Sequence, residues 1–340
     1  MNREKRLHAF VVASGHDPQL LSPLAGDASN RRYLRLAAER PLVVMDAPPE
    51  RGEDIAPFAA VTAWLRQQGF SAPEILAADP GAGFLLLEDL GDALYARVCA
   101  KDPSSQAGLY TAATDLLAAL AAHPAPRRMG ARDLPPYDID VLQREARLAL
   151  EWYLPGTGGA TPSPDMLAEF DALVAATCRA AAAERGTVVL RDYHAENLLW
   201  LPDRDGLAQV GLLDYQDALA GHPAYDLVSL LEDARRDTTA ELREAMLARY
   251  LDRSGRDAGA FRAAYASLGA QRNLKIIGIF ARLCLRDGKP RYPTLIPRVW
   301  AHLMRDLAHP DLAALRIFVM RHLPEPQPSV IAAMQARAAA

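Results

Sequence analysis

The sequence predicts an α+β fold in two lobes, a small β-rich N-terminal lobe and a larger helical C-terminal lobe. Three observations carry this. Short apolar segments with β-type composition crowd the first ninety residues. Helical periodicity and alanine-rich runs dominate the rest, and one compact β insert interrupts them around residues 187–214. At roughly 100–200 residues per domain, 340 residues suit one bilobal unit or two domains. The natural division falls near residue 91, after the turn Glu88-Asp89-Leu90-Gly91-Asp92, giving lobes 1–91 and 92–340.

Taken in order, Leu20–Leu24 reads as a short strand. The small and polar residues Ala25–Asn30 then form a turn, and Arg31–Leu36 is compatible with a strand. A second turn over Ala37–Arg40 leads into the apolar strand Pro41–Met45. Pro57–Gln68 is helical by period, with Phe58, Val61 and Leu65 on one face and Gly69 as its stop. Phe84–Leu87 has the unbroken apolar character of a buried strand. Val141–Leu154 places Leu142, Ala146, Ala149, Leu150 and Tyr153 on one stripe. Gly156, Gly158 and Gly159 mark a loop. Ser163 followed by Pro164 starts the next helix, which runs to about Glu184. Thr187–Leu190, Leu198–Leu201 and Ala208–Leu213 make the β insert. Alanine runs at 112–122, 180–183 and 332–340 favour helix, because alanine loses no side-chain entropy there.

Bulk properties exclude several classes. Half the residues are hydrophobic and the formal net charge is −4, so the basic excess of a nucleic-acid binder is absent. The three cysteines, Cys99, Cys178 and Cys284, fit neither a zinc spacing nor a disulfide framework, and are expected as buried thiols. No apolar run approaches the length of a membrane span, and the apolar run behind the charged N-terminus is too short for a signal peptide. The expectation is a cytoplasmic protein, monomeric, without membrane or nucleic-acid partners.

The chemistry concentrates in the β insert. It reads Leu190-Arg191-Asp192-Tyr193-His194-Ala195-Glu196-Asn197-Leu198-Leu199, and further on Leu212-Leu213-Asp214-Tyr215-Gln216-Asp217. Arg-Asp, four residues and then Asn is the spacing of a kinase catalytic loop. Phosphoryl transfer asks the protein for little covalent chemistry. It asks for an acceptor hydroxyl aimed at the γ-phosphate and for metal to neutralise the phosphate charge. Asp192 at the loop's start suits the proton acceptor. Asn197 and Asp214, at the loop's end and on the far strand, suit magnesium, which takes hard oxygen ligands and keeps other positions for phosphate and water. His194 reads as a loop brace bonded to backbone, Asp226 as a helix N-cap, and Asp217 as either a third metal carboxylate or a turn residue.

With these residues in hand, the chain resembles the aminoglycoside phosphotransferase/choline kinase superfamily, of protein-kinase-like fold. The superfamily's usual loop reads His-Gly-Asp-x-His-x-x-Asn. Here Asp192, His194 and Asn197 match, and Leu190-Arg191 stands in place of His-Gly. Residues 191–198, 213–218, 225–231 and 271–283, with 26–33 and 43–49, together resemble the N-acetylmuramate/N-acetylglucosamine anomeric kinases of bacterial cell-wall recycling. The resemblance implies ATP as phosphoryl donor, with adenine bonded to backbone near Glu88 and Leu90. It implies an N-acetyl amino sugar as acceptor and a sugar 1-phosphate as product. The strand Leu42–Asp46 lacks the lysine that a standard kinase turns to the phosphates. Ser29 and the backbone amides of its turn can cradle phosphate, and Arg31 or Arg32, just after it, can supply that charge, since a guanidinium fork suits phosphate oxygens. An exposed pair on an edge strand is the alternative. Glu53 is a possible partner for such a cation.

Acceptor contacts are less defined. Arg272, Lys275 and Arg282, with Arg286 beyond them, put cations on the late helix, which suits an anionic or neutral sugar better than a polycation, or else forms a solvated basic face. Trp152 and Tyr153 can stack on a sugar or pack in the core. An aminoglycoside or another small-molecule hydroxyl kinase, and a pseudokinase without turnover, are the competing expectations.

Overall fold

The structure, a computed structural model, describes residues 2–24 and 30–338. Ser29 and the turn before it lie outside the described residues. The chain forms two compact units. The first comprises residues 1–116, 126–134 and 195–218. The second comprises residues 117–125, 135–194 and 219–340.

The first unit is built on a five-stranded sheet. Strands β1 (Leu21–Pro23), β2 (Arg32–Leu36), β3 (Leu42–Asp46), β4 (Ile75–Asp79) and β5 (Phe84–Glu88) lie in the order β1-β2-β3-β5-β4. Every neighbouring pair is antiparallel, with Val44 opposite Leu34 on one side and Leu86 on the other. β3 and β5 are central and almost wholly buried, as their unbroken apolar runs require. β4 is the strand the sequence reading missed. It is an edge strand of Ile-Leu-Ala-Ala-Asp with alternating exposure and a register shift between Ile75 and Ala77, so it lacks the apolar run that marks its neighbour. Helix α1 (Arg3–Ala13) buries Leu7, Phe10 and Val11 against Leu36, Leu42, Val44, Phe84 and Leu86. Helix α2 (Ala56–Gln67) turns Phe58, Val61 and Leu65 inward as expected, and Gly69, at φ +86°, follows its end.

The hairpin Leu198–Trp200/Val210–Leu212 belongs to this unit. A Cβ at Gly211 would lie 3.0 Å from Leu199, 3.1 Å from Leu201 and 3.3 Å from Leu90. The glycine thus lets the segment after β5 rest on the hairpin.

The second unit is helical. Its longest element, Ala258–Leu285, starts at Asp257, whose side chain accepts from the Ala260 N–H at 2.7 Å. Around it lie the helices Ile139–Ala146, Pro164–Ala183, Ala224–Leu231 and Ile296–Asp306. Ser163 caps the Pro164 helix as the sequence predicts, accepting from Met166 N–H at 3.2 Å. The predicted helix through Leu154 is interrupted: α-helix ends at Ala146 and a π-helical turn covers Ala149–Tyr153. Tyr153 is fully buried and donates to Pro324 O at 2.6 Å, which places it in the core rather than on a sugar. The strand Thr187–Val189 does not join the hairpin. It pairs antiparallel with Leu219–Gly221, a partner too short to announce itself in sequence. All three cysteines are buried thiols outside any disulfide.

Candidate active site

Two ends of the chemical motif fall in different units, the chain passing from one to the other between His194 and Ala195. In the first unit, Asn197 and Asp214 lie at the mouth of the hairpin, where Leu213 N–H donates to Asn197 O at 3.0 Å. Their side chains meet, Asn197 Nδ2 lying 3.4 Å from Asp214 Oδ2. Gln216 Nε2 donates to Asp214 Oδ1 at 2.8 Å and fixes the other oxygen. Asp214 has φ +58°, a left-handed conformation that a non-glycine residue adopts only where its surroundings hold it. The hold is visible in Tyr215, which is fully buried, stacks on Phe58 with ring centroids 5.2 Å apart, and shares a 2.7 Å hydrogen bond with Thr62 of α2. The contact is made by the amide nitrogen of Asn197, and its oxygen, with the Asp214 carboxylate, adds hard-oxygen donors of the kind magnesium takes while keeping phosphate and water. Asp217 is exposed in the turn beyond.

The other candidates of this unit are engaged in ion pairs. Arg31 Nε donates to Glu53 Oε2 at 2.7 Å, with both side chains mostly buried. Arg32 is half exposed and donates to Asp46 Oδ2 from Nε at 2.9 Å. Asp46, which is buried, also takes Arg3 Nε at 2.8 Å, so it ties α1 to the sheet. Glu88 is buried and accepts from Arg40 at 2.6 Å and Arg204 at 2.7 Å. Arg35 reaches the segment after β5, donating to Asp89 at 2.6 Å and to Asp92 at 2.8 Å. Residues 88–92 are therefore clamped by arginines on both sides. Sequence reasoning found the segment but not the clamp, because an arginine's partner on another strand leaves no local pattern.

In the second unit, Asp192 follows Arg191, which has φ +73°. Arg191 and Asp214 are the only non-glycine residues with positive φ among the described residues. The backbone of this turn is held by Asp226, whose two carboxylate oxygens accept from Leu190 N–H at 2.6 Å and Arg191 N–H at 2.8 Å. This corrects the N-cap expectation. Asp226 lies inside the Ala224–Leu231 helix, is buried, and serves a distant loop; the residue before that helix is Pro223, which makes no side-chain cap. Burial pushes the Asp226 carboxyl up to about 7, against the pull of its two N–H donors.

Burial acts on Asp192 too, but the charges of Lys275, His194, Arg272 and Arg191 hold its carboxyl below the usual range, so it stays ionised. Lys275 and Arg272, two of the cations expected of the late helix, thus bear on Asp192. Arg272 is buried and donates to Ser229 Oγ at 2.8 Å. Arg286 is exposed and pairs with its neighbour Asp287. His194 is buried, with Nδ1 lacking a hydrogen-bond partner, so the expected backbone brace is not made through that nitrogen.

The first unit thus carries a paired carboxylate and carboxamide at the hairpin mouth, and the second an aspartate held charged on a braced loop. The sequence model described as the phosphotransferase enzyme family matches residues 21–265. The chain belongs to this family. Within it, the chain is 41% identical to the N-acetylmuramate/N-acetylglucosamine kinase of Caulobacter vibrioides, across 95% of this chain and 97% of that one. It is 39% identical to the protein of the same name from Pseudomonas aeruginosa, across 88% and 87%. Among solved structures, its fold is similar to a choline/ethanolamine kinase family protein from Mesorhizobium loti. That match has a TM-score of 0.59 at 16% identity, over 98% of each chain. The fold is also similar to an aminoglycoside phosphotransferase from Streptomyces rimosus, with a TM-score of 0.54 at 19% identity over 79% of this chain and 98% of that one. No helix among the described residues is long and apolar enough to cross a membrane.

Proposed function

We propose that the protein is an ATP-dependent kinase of N-acetylmuramate and N-acetylglucosamine that phosphorylates the anomeric hydroxyl and releases the sugar 1-phosphate. The observation that carries the reading is the near full-length similarity to two kinases of that name. The chemistry of the candidate residues supports it. Asp192, kept charged by Lys275 and its neighbours, takes the proton of the attacking hydroxyl. Asn197 and Asp214 hold magnesium, which when bound neutralises phosphate charge. Arg31, fixed by Glu53, and Arg32, fixed by Asp46, follow Ser29 in sequence and supply cations to the phosphates. The clamped segment from Glu88 to Leu90 presents backbone to adenine. In this reading residues 1–91 form the nucleotide lobe and 92–340 the catalytic and substrate lobe, the working unit is a monomer, and the reaction is cytoplasmic.

Coupled measurement of ADP release with N-acetylmuramate, N-acetylglucosamine, kanamycin and choline in parallel tests the acceptor. Turnover on the N-acetyl sugars alone is expected. Turnover confined to kanamycin or choline would reject the sugar reading while leaving the phosphotransferase chemistry.

A further inference from the structure

The left-handed backbone at Arg191 is the least comfortable conformation near Asp192, and its side chain is not idle. Arg191 is four-fifths buried and pairs through Nη2 with Glu145 of the Ile139–Ala146 helix. Its guanidinium also lies over the Tyr137 ring, 5.6 Å from the centroid. Glu145 is itself mostly buried, and three further groups converge on it. Lys275 Nζ lies at 3.1 Å, the Tyr137 hydroxyl donates at 2.5 Å, and Gln271 Nε2 lies at 3.4 Å. Lys275 is steadied in turn by the Tyr225 hydroxyl at 3.3 Å. A carboxylate given this many donors is fixed in place, and charge-assisted bonds are the strong ones.

We propose that Glu145 is a positioning residue for phosphoryl transfer: shared between Lys275 and Arg191, it holds Arg191 in its left-handed conformation and so sets where Asp192 points. The proposal rests on the kinase reading of Asp192. The geometry gives Arg191 two roles that substitution can separate. Its side chain anchors the loop, and its backbone bears a conformation that costs an L-residue but not glycine. If the anchor's work is to enforce that conformation, glycine should dispense with it.

The test is steady-state kinetics on the full chain with N-acetylmuramate and Mg-ATP. Glu145→Gln and Arg191→Ala should each lower kcat by about tenfold while leaving KM for ATP nearly unchanged, the order expected from losing compensation at one strained residue. Arg191→Gly should recover most of that loss. In the Arg191→Gly background, Glu145→Gln should cost little further. Equal losses in Arg191→Ala and Arg191→Gly, or the same Glu145→Gln penalty in both backgrounds, would overturn the proposal. Thermal unfolding reads the backbone claim without turnover: Arg191→Gly should melt above Arg191→Ala, and the reverse order would also overturn it. Absence of wild-type turnover on any acceptor would strike the kinase reading instead; Glu145→Gln should then still lower the melting point of the native chain and cost little in the Arg191→Gly background, and an equal cost in both would overturn the anchoring role.

Discussion

Asp192, Asn197 and Asp214 carry the account at the scale of single residues. Asp192→Asn should bind Mg-ATP as the native chain does and lose turnover by 10²-fold or more, the usual contribution of a general base. Calorimetry beside a rate assay separates the two effects, and a native rate in that variant would remove the assignment. Asp214→Ala should instead weaken the affinity for Mg-ATP, because the carboxylate beside Asn197 is lost; unchanged affinity would reject the metal role. What singles out these three residues in the sequence is their spacing. Asp226 was not legible. Its partners, Leu190 and Arg191, lie more than thirty residues away in sequence, and an aspartate near a helix start reads as a cap. Asp226→Ala should strand both N–H groups and cost about 1–3 kcal/mol for each, measured by urea unfolding.

The same residue carries a pH prediction. In the unfolded chain an aspartate titrates near ~3.9, whereas folded Asp226 keeps its proton up to about 7. The folded state therefore binds more protons between these values. The stability this group contributes is full below ~4 and is lost as the pH rises through about 7. Relative to Asp226→Asn, the native chain should lose stability across that window, as followed by the urea midpoint. A flat difference would mean the carboxyl titrates normally.

Among the elements, periodic and apolar segments were readable, and segments that depend on distant partners were not. β3, β5, α2 and the Ser163-capped helix emerged near their observed limits, because each carries its own burial pattern or cap. β4 and Leu219–Gly221 were not readable because a neighbouring strand completes each; Thr187–Leu190 was read as a β segment, but its partner was not. The π turn at Ala149–Tyr153 begins directly after Leu148, on which another helix packs. Gly278 of the long helix packs so closely that an added Cβ would lie 2.2 Å from the Leu148 carbonyl carbon and 2.4 Å from its Cβ. Gly278→Ala should therefore destabilise by about 1–3 kcal/mol, despite alanine's better helix propensity. Gly108, in the Gln106–Ala121 helix, has open space at the Cβ position, and Gly108→Ala should stabilise by about 0.5–1 kcal/mol. Urea unfolding of both variants checks the contrast; matching signs would contradict the packing argument.

At the scale of the whole molecule, the ordered co-occurrence of short motifs between about residue 20 and residue 300 pointed to the family, where any one motif was weak. The family model over residues 21–265 covers much of the same stretch. What the motifs could not supply is the sugar-contacting surface. Of the cations on the late helix, Arg272 is buried against Ser229 and Lys275 serves Glu145, so both are committed within the protein. The acceptor and the atom it offers are therefore best read directly from the product. A phosphorus NMR spectrum of the protein with Mg-ATP and N-acetylmuramate should show a new phosphomonoester resonance split by the anomeric proton, together with ADP. A product resonance coupled instead to the protons at C6, or ATP consumed with no sugar phosphate formed, would contradict the assignment of this chain as an anomeric sugar kinase.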